Sequence, residues 1–148
     1  MVLSHTKSLL IVTAIAELGA GVVLLLVPSL ALEILSGAGL ESPASVLLGR
    51  IAGAALFSIS LCCWLERNRP LGQPSMGLVL ALAVYNAAVA VLLIYAAAVD
   101  GMKGVGIWPA IGFHLALLIW CLACLRTVKL TRDGKIPIKN SFRKDCTK

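Results

Sequence analysis

Glu17, Arg50, Tyr85, Asn86 and His114 are the residues of this chain whose types could do chemistry in an apolar setting. A carboxylic acid and an imidazole can take up and release protons, and a guanidinium can neutralise a carboxylate. Asn86 and the Tyr85 hydroxyl can hydrogen-bond either protonation state. The four polar residues Glu17, Arg50, Asn86 and His114 each fall in a different long apolar stretch. Counted at about 1.5 Å per residue, Glu17, Asn86 and His114 come to one depth, with Arg50 starting about 7 Å away and able to cover much of that gap with its side chain. An intramembrane charge costs at least ~2.5–3.5 kcal/mol on insertion scales, so a Glu17–Arg50 ion pair turned inward, with Asn86, Tyr85 and His114 around it, is the expected arrangement. Such a cluster either fixes helix rotation or moves a proton or holds a polar ligand; a complete Glu–Arg pair, being self-neutralising, favours the first role.

The cysteines form a second candidate set. Cys62 and Cys63 close the second apolar stretch, Cys121 and Cys124 close the fourth, and Cys146 stands apart near the C-terminus. Cys121-Leu122-Ala123-Cys124 has C-x-x-C spacing, but it lies at the end of a helix, where the dipole opposes a thiolate. Small buried hydrophobes are the first reading of these thiols; four thiolates on zinc, lipidation or redox sensing are the others. Haem on His114 is not expected, because no second histidine lies within a span to serve as the other axial ligand, and no cofactor is predicted.

The elements that must position these residues follow from composition. The 148 residues are 59% hydrophobic and 14% charged, with a mean hydropathy of +0.96, against about 45–50% and about 25% in ordinary globular chains. That excludes a soluble enzyme, a nucleic-acid module or a disordered chain as the main body. Spans are expected at about Ser8–Val27, Ser45–Leu65, Met76–Val99 and Val105–Leu125, each near the roughly 20 residues that a helical crossing needs. The first, which holds Glu17, is too long for a removable signal peptide. Ser29–Gly39 reads as a short helix lying at the membrane surface. The expected fold is all-α: a transmembrane four-helix bundle over residues 1–126 with short loops, followed by a basic tail over 127–148.

Small residues beside each polar group (Ala14, Ala20 and Gly21; Gly49, Gly53 and Ala54; Ala83, Ala87 and Ala90) would let helices approach closely in lipid. The tail holds Asp133-Gly134 between Val128-Lys129-Leu130 and Ile136-Pro137-Ile138, which could close a small hairpin as an alternative local structure; it is read as a disordered cationic segment against anionic headgroups, with a docking arm for a partner protein as the other reading. Four spans put both ends on one side. That side carries Lys7, Arg67, Arg69, Arg126, Lys129, Arg132, Lys135, Lys139, Arg143, Lys144 and Lys148, and the other carries Lys103 alone between spans. The asymmetry predicts cytoplasmic termini.

Two family likenesses accompany these readings. Leu48-Gly49-Arg50-Ile51-Ala52-Gly53-Ala54-Ala55-Leu56 with Cys63-Trp64-Leu65, and Gly106-Ile107-Trp108-Pro109-Ala110 with His114 and Trp120, resemble small four-span bacterial inner-membrane proteins of uncharacterised function, loosely similar to the DoxX-like group. The resemblance implies a fold and a bacterial inner-membrane location. Members of that group have been tied to quinone or sulfur redox chemistry, for which no residue here carries over. Ala14-Ile15-Ala16-Glu17-Leu18-Gly19 looks like the first helix of small multidrug-resistance transporters, which would give Glu17 a proton-exchange role; this chain departs from them in lacking aromatic-rich later helices, in Arg50 and in its charge asymmetry. The expected job is that of a non-catalytic accessory or structural subunit packing against another membrane protein or itself. A proton-coupled carrier and a redox or cofactor-binding subunit are the alternatives.

Overall fold

The computed structural model describes residues 2–39, 42–68 and 76–132, and within them every regular element is helical. In chain order these are α1 (Val2–Leu26), α2 (Pro28–Ser36), α3 (Pro43–Glu66), α4 (Met76–Ala98) and α5 (Ile107–Arg132). Four of them carry stretches long and apolar enough to cross a membrane: His5–Leu26, Pro43–Glu66, Met76–Ala98 and Ile107–Thr127. The chain is therefore a small all-helical integral membrane protein with the expected four spans. In hydrocarbon each backbone N–H and C=O needs an internal partner, and the helix supplies one without help from side chains.

The helix ends follow local chemistry. Proline stands first in both α2 and α3, where its missing N–H costs nothing. Ser42 caps α3, its hydroxyl accepting the Ser45 N–H at 3.1 Å while the Ser42 N–H donates to the Ser45 hydroxyl at 3.3 Å. At the end of α2, Gly37 adopts φ 84°, a left-handed turn that glycine enters without strain, and its N–H donates to the Glu33 carbonyl.

The short helix foreseen over 29–39 forms as α2, but it does more than lie beside the bundle. Its terminal carbonyls lack helical partners, and the α4–α5 connector provides them: the Gly106 N–H donates to Ile34 O at 2.8 Å and the Lys103 N–H to Ser36 O at 3.2 Å. Gly104 lies so close to the Leu35 carbonyl that no β-carbon would fit. This clasp ties the first half of the chain to the second on the side opposite the termini.

The long helices associate as two pairs. α1 packs most extensively on α3 and α4 on α5, and α1 then joins the pairs through α5. Gly21 and Gly53 set the α1–α3 approach: a β-carbon on Gly21 would lie 2.9 Å from Gly53 O, and one on Gly53 would lie 2.9 Å from Gly21 O. Without a hydrophobic drive between helices in lipid, such backbone contact supplies the packing. Toward the termini, Leu9, Leu10 and Ala14 of α1 meet Cys63 of α3, Val79, Leu82 and Ala83 of α4, and Leu117, Cys121 and Cys124 of α5 in the main core cluster.

One tail expectation is corrected. Val128–Leu130, the first arm of the alternative hairpin, belongs to α5, which runs past residue 126 to Arg132. The hydrogen-bond ladder of a helix already under way continues through Thr127, whose hydroxyl donates to Ala123 O at 2.7 Å. Asp133-Gly134 and the second arm lie outside the described residues, as do Arg69 and the rest of the basic tail.

Candidate functional site

Glu17, Tyr85, Asn86 and His114 each lie within one helical turn of the middle of their spans. They face one another as two hydrogen-bonded pairs. The Tyr85 hydroxyl donates to Glu17 Oε2 at 3.3 Å, joining α4 to α1. His114 Nδ1 and Asn86 Oδ1 lie 2.8 Å apart, joining α5 to α4. Asn86 spends its amide on its own helix, donating to Leu82 O at 2.8 Å. That bond fixes the Asn86 oxygen toward the imidazole, so Nδ1 is the donor and His114 is a neutral or fully protonated ring with Nδ1–H. Rings link the pairs: His114 stands edge-on to Tyr85 with centroids 5.9 Å apart, and edge-on to Phe113 at 5.8 Å.

Helix faces explain the grouping. On α1, Thr6, Leu9, Leu10, Thr13, Ala14 and Glu17 form the inward stripe; on α4 it is Val79, Leu82, Ala83, Asn86 and Ala90. Both recur at three- and four-residue intervals, the spacing of one helical face. Asn86 is fully buried and Glu17 is 3% exposed, whereas Tyr85 and His114 are half-buried.

Arg50 does not join them, and the expected Glu17–Arg50 ion pair is absent: Arg50 is exposed on α3. The reason is the glycine crossing. Gly49, Gly53, Ser60 and Cys63 are the buried residues of α3, and Gly53 must face α1 for the two backbones to meet. Arg50 follows Gly49 by about 100° of helical rotation, which carries it off that face. Its position near the start of α3 lets the long side chain reach back toward the membrane interface. Among the described residues, Glu17 is thus left with a phenolic hydroxyl and no cation.

The four thiols divide as well. Cys63, Cys121 and Cys124 are buried and free, while Cys62 is free but exposed. Neighbouring residues on a helix cannot face the same way, so Cys62 and Cys63 do not act together and the four-thiolate cluster does not assemble. Among the described residues no group of three or more His, Cys, Asp or Glu side chains could hold a metal ion. Cys124 instead shares a hydrogen bond with Thr6.

Ser60 escaped the sequence reading, while Thr13 falls on the stripe expected around Glu17; both are buried. Ser60 donates to the Ala14 carbonyl at 2.7 Å across the α1–α3 seam. Its place on the stripe of Gly49 and Gly53 was the available signal. Thr13, one turn from Glu17 and 1% exposed, has a hydroxyl with no hydrogen-bond partner among the described residues. The aromatic residues at span ends behave as anchors: Trp108 and Tyr95 are exposed, and the Arg67 guanidinium stacks 3.5 Å over the Trp64 ring.

No protein-family model, curated protein or solved structure matches this chain.

Proposed function

We propose that this membrane protein is a proton-coupled small-molecule carrier in which Glu17 is the proton-exchanging group. The observation behind the reading is a carboxyl group 3% exposed near the middle of a span, held by the Tyr85 hydroxyl and without a countercharge among the described residues. Had Arg50 paired with it, the site would be electrically complete and a structural role would suffice. Unpaired, an ionised Glu17 costs at least ~2.5–3.5 kcal/mol at that depth, and a proton or a cationic guest relieves the cost. The His114–Asn86 pair gives the site a second group able to gain and lose a proton. The eleven-to-one basic bias supports cytoplasmic termini, and the resemblance to small four-span proteins supports a bacterial inner membrane.

The test is proton movement in sealed proteoliposomes under an imposed pH gradient, with a small quaternary ammonium cation enclosed as the probe cargo. Glu17→Gln keeps the shape and the bond to Tyr85 but cannot ionise. Flux should fall to that of protein-free vesicles. Flux equal to the parent ends the proposal.

A second reading, a subunit packing against another membrane protein or a second copy, is favoured by the outer face of α3. Arg50, Ala54 and Ser58 lie exposed there, the first without an ion pair among the described residues and the other two small enough for close helix approach. Gentle detergent extraction followed by native mass measurement tests it: a complex is expected, and a clean monomer counts against it.

A further inference from the structure

We infer that Glu17 is reached from the face of the membrane opposite the chain termini, through a gap between α1 and the α4–α5 pair bordered by Ala20 and Leu24, and is sealed from the termini side. The inference deepens the reading of Glu17 as a proton-exchanging group and gives that group a direction.

The α1 stripe carries the argument. At 100° per residue, Thr6, Leu9, Thr13, Glu17, Ala20 and Leu24 share the face turned toward α4 and α5. Through Glu17 this face is closed, with Thr6 8%, Leu9 0%, Thr13 1% and Glu17 3% exposed. Immediately beyond, Ala20 is exposed although it lies inside the helix, and Leu24, in the last turn, is half-buried. The loss of cover is one-sided. Gly21, the next residue, stays buried because it abuts Gly53 and the Phe57 backbone of α3. So α1 keeps its partner α3 and parts from α4 and α5.

The α4 wall agrees, while on α5 Ile111 and Ile107 stay buried at 6% and 0%. On the face of α4 that carries Tyr85, Leu82 is 2% exposed on the termini side, whereas Val89 and Leu93 are half-buried going outward; the neighbouring stripe of Asn86 and Ala90, at 0% and 2%, stays covered. Below Glu17 the seal consists of Leu9, Leu10, Leu82, Leu117 and Cys121, drawn from all three helices and each at most 5% exposed. Water or a polar molecule crossing that seal would lose most of its hydrogen bonds, because apart from the Thr6 and Thr13 hydroxyls and the cysteine thiols the lining is hydrocarbon. Farther out, α2 is tied to the α4–α5 connector by the Lys103 and Gly106 N–H groups.

Thiol accessibility tests this. Single cysteines are placed at Ala20, Gly19 and Leu10 of the full chain in sealed vesicles. A charged, membrane-impermeant methanethiosulfonate is then added from one side or the other, with the parent measuring any reaction of the native thiols. Only a hydrated thiol forms the reactive thiolate. Gly19 is exposed and has nothing within 4 Å of its β-carbon position; it points away from Glu17, so it reports lipid at nearly the same depth. Ala20→Cys should react on the order of tenfold faster than Gly19→Cys, and only from the side opposite the termini. Leu10→Cys should match the parent from both sides. Ala20→Cys reacting no faster than Gly19→Cys, or reacting from the termini side, overturns the inference, as does fast modification of Leu10→Cys from the termini side. Leu24→Cys replaces Ala20→Cys if that variant does not fold, with the same expected result. These outcomes are independent of proton flux: a directional Ala20→Cys reaction together with unchanged flux in Glu17→Gln upholds the route and removes the proton role.

Discussion

At residue scale, the decisive feature is what Glu17 lacks. It is buried on the inward face of α1, Tyr85 holds one oxygen, and Arg50 faces elsewhere. A double-mutant cycle on Glu17→Gln and Arg50→Gln, read by thermal stability in detergent, should be additive within about 0.3–0.5 kcal/mol, as for side chains without a shared partner. A large coupling energy would restore the ion pair. The same cycle on Asn86→Ala and His114→Ala should give a coupling of about 0.6 to 1.7 kcal/mol, the range for hydrogen bonds between membrane helices. Thr13→Val removes a buried hydroxyl that has no partner among the described residues and keeps its shape; stability should be unchanged or rise by up to about 1 kcal/mol, because the stranded donor is the expensive state. A loss larger than that would reveal a bond to the hydroxyl.

At the scale of elements, the glycine crossing governs more than its size suggests. Gly21→Val would drive side-chain carbons into Gly53 O and the Phe57 N–H, each already 2.9 Å from a bare β-carbon. A loss of about 1–3 kcal/mol or more is expected from overpacking against rigid backbone, measured by the same melts, whereas Gly19→Val at an open position should cost little. The crossing also shows where sequence reasoning reached and where it stopped. Helix type, span number and the small-residue faces of Gly21 and Gly53 were legible, because length, hydropathy and three-to-four spacing encode them locally. The grouping of Glu17, Tyr85, Asn86 and His114 at one depth was legible by counting rise. The failure came at Arg50: charge complementarity argued for pairing with Glu17, but helix rotation is set by the closest backbone approach, and that belongs to Gly53. The clasp between α2 and residues 103–106 was hidden too, since backbone donors and carbonyls leave no mark on residue type.

At the scale of the molecule, charge and packing are both lopsided along the membrane normal. Basic residues gather on the termini side, as do the apolar core and its three buried thiols. If the basic side is cytoplasmic, a fluorescent protein fused after Lys148 should mature normally, and an enzyme reporter that requires export should be inactive at the same position. The reverse result would invert the orientation and, with it, the side from which Glu17 is served. The pairing of α1 with α3 and of α4 with α5 has a consequence for how the protein is made. Each half of the polypeptide contains its own principal helix partner, so the leading pair can settle in the bilayer while the ribosome is still synthesising the trailing one. A gene cut between Asn68 and Met76 should then yield two pieces that find each other when expressed together, joined by the same backbone bonds from Lys103 and Gly106 that knit the intact chain.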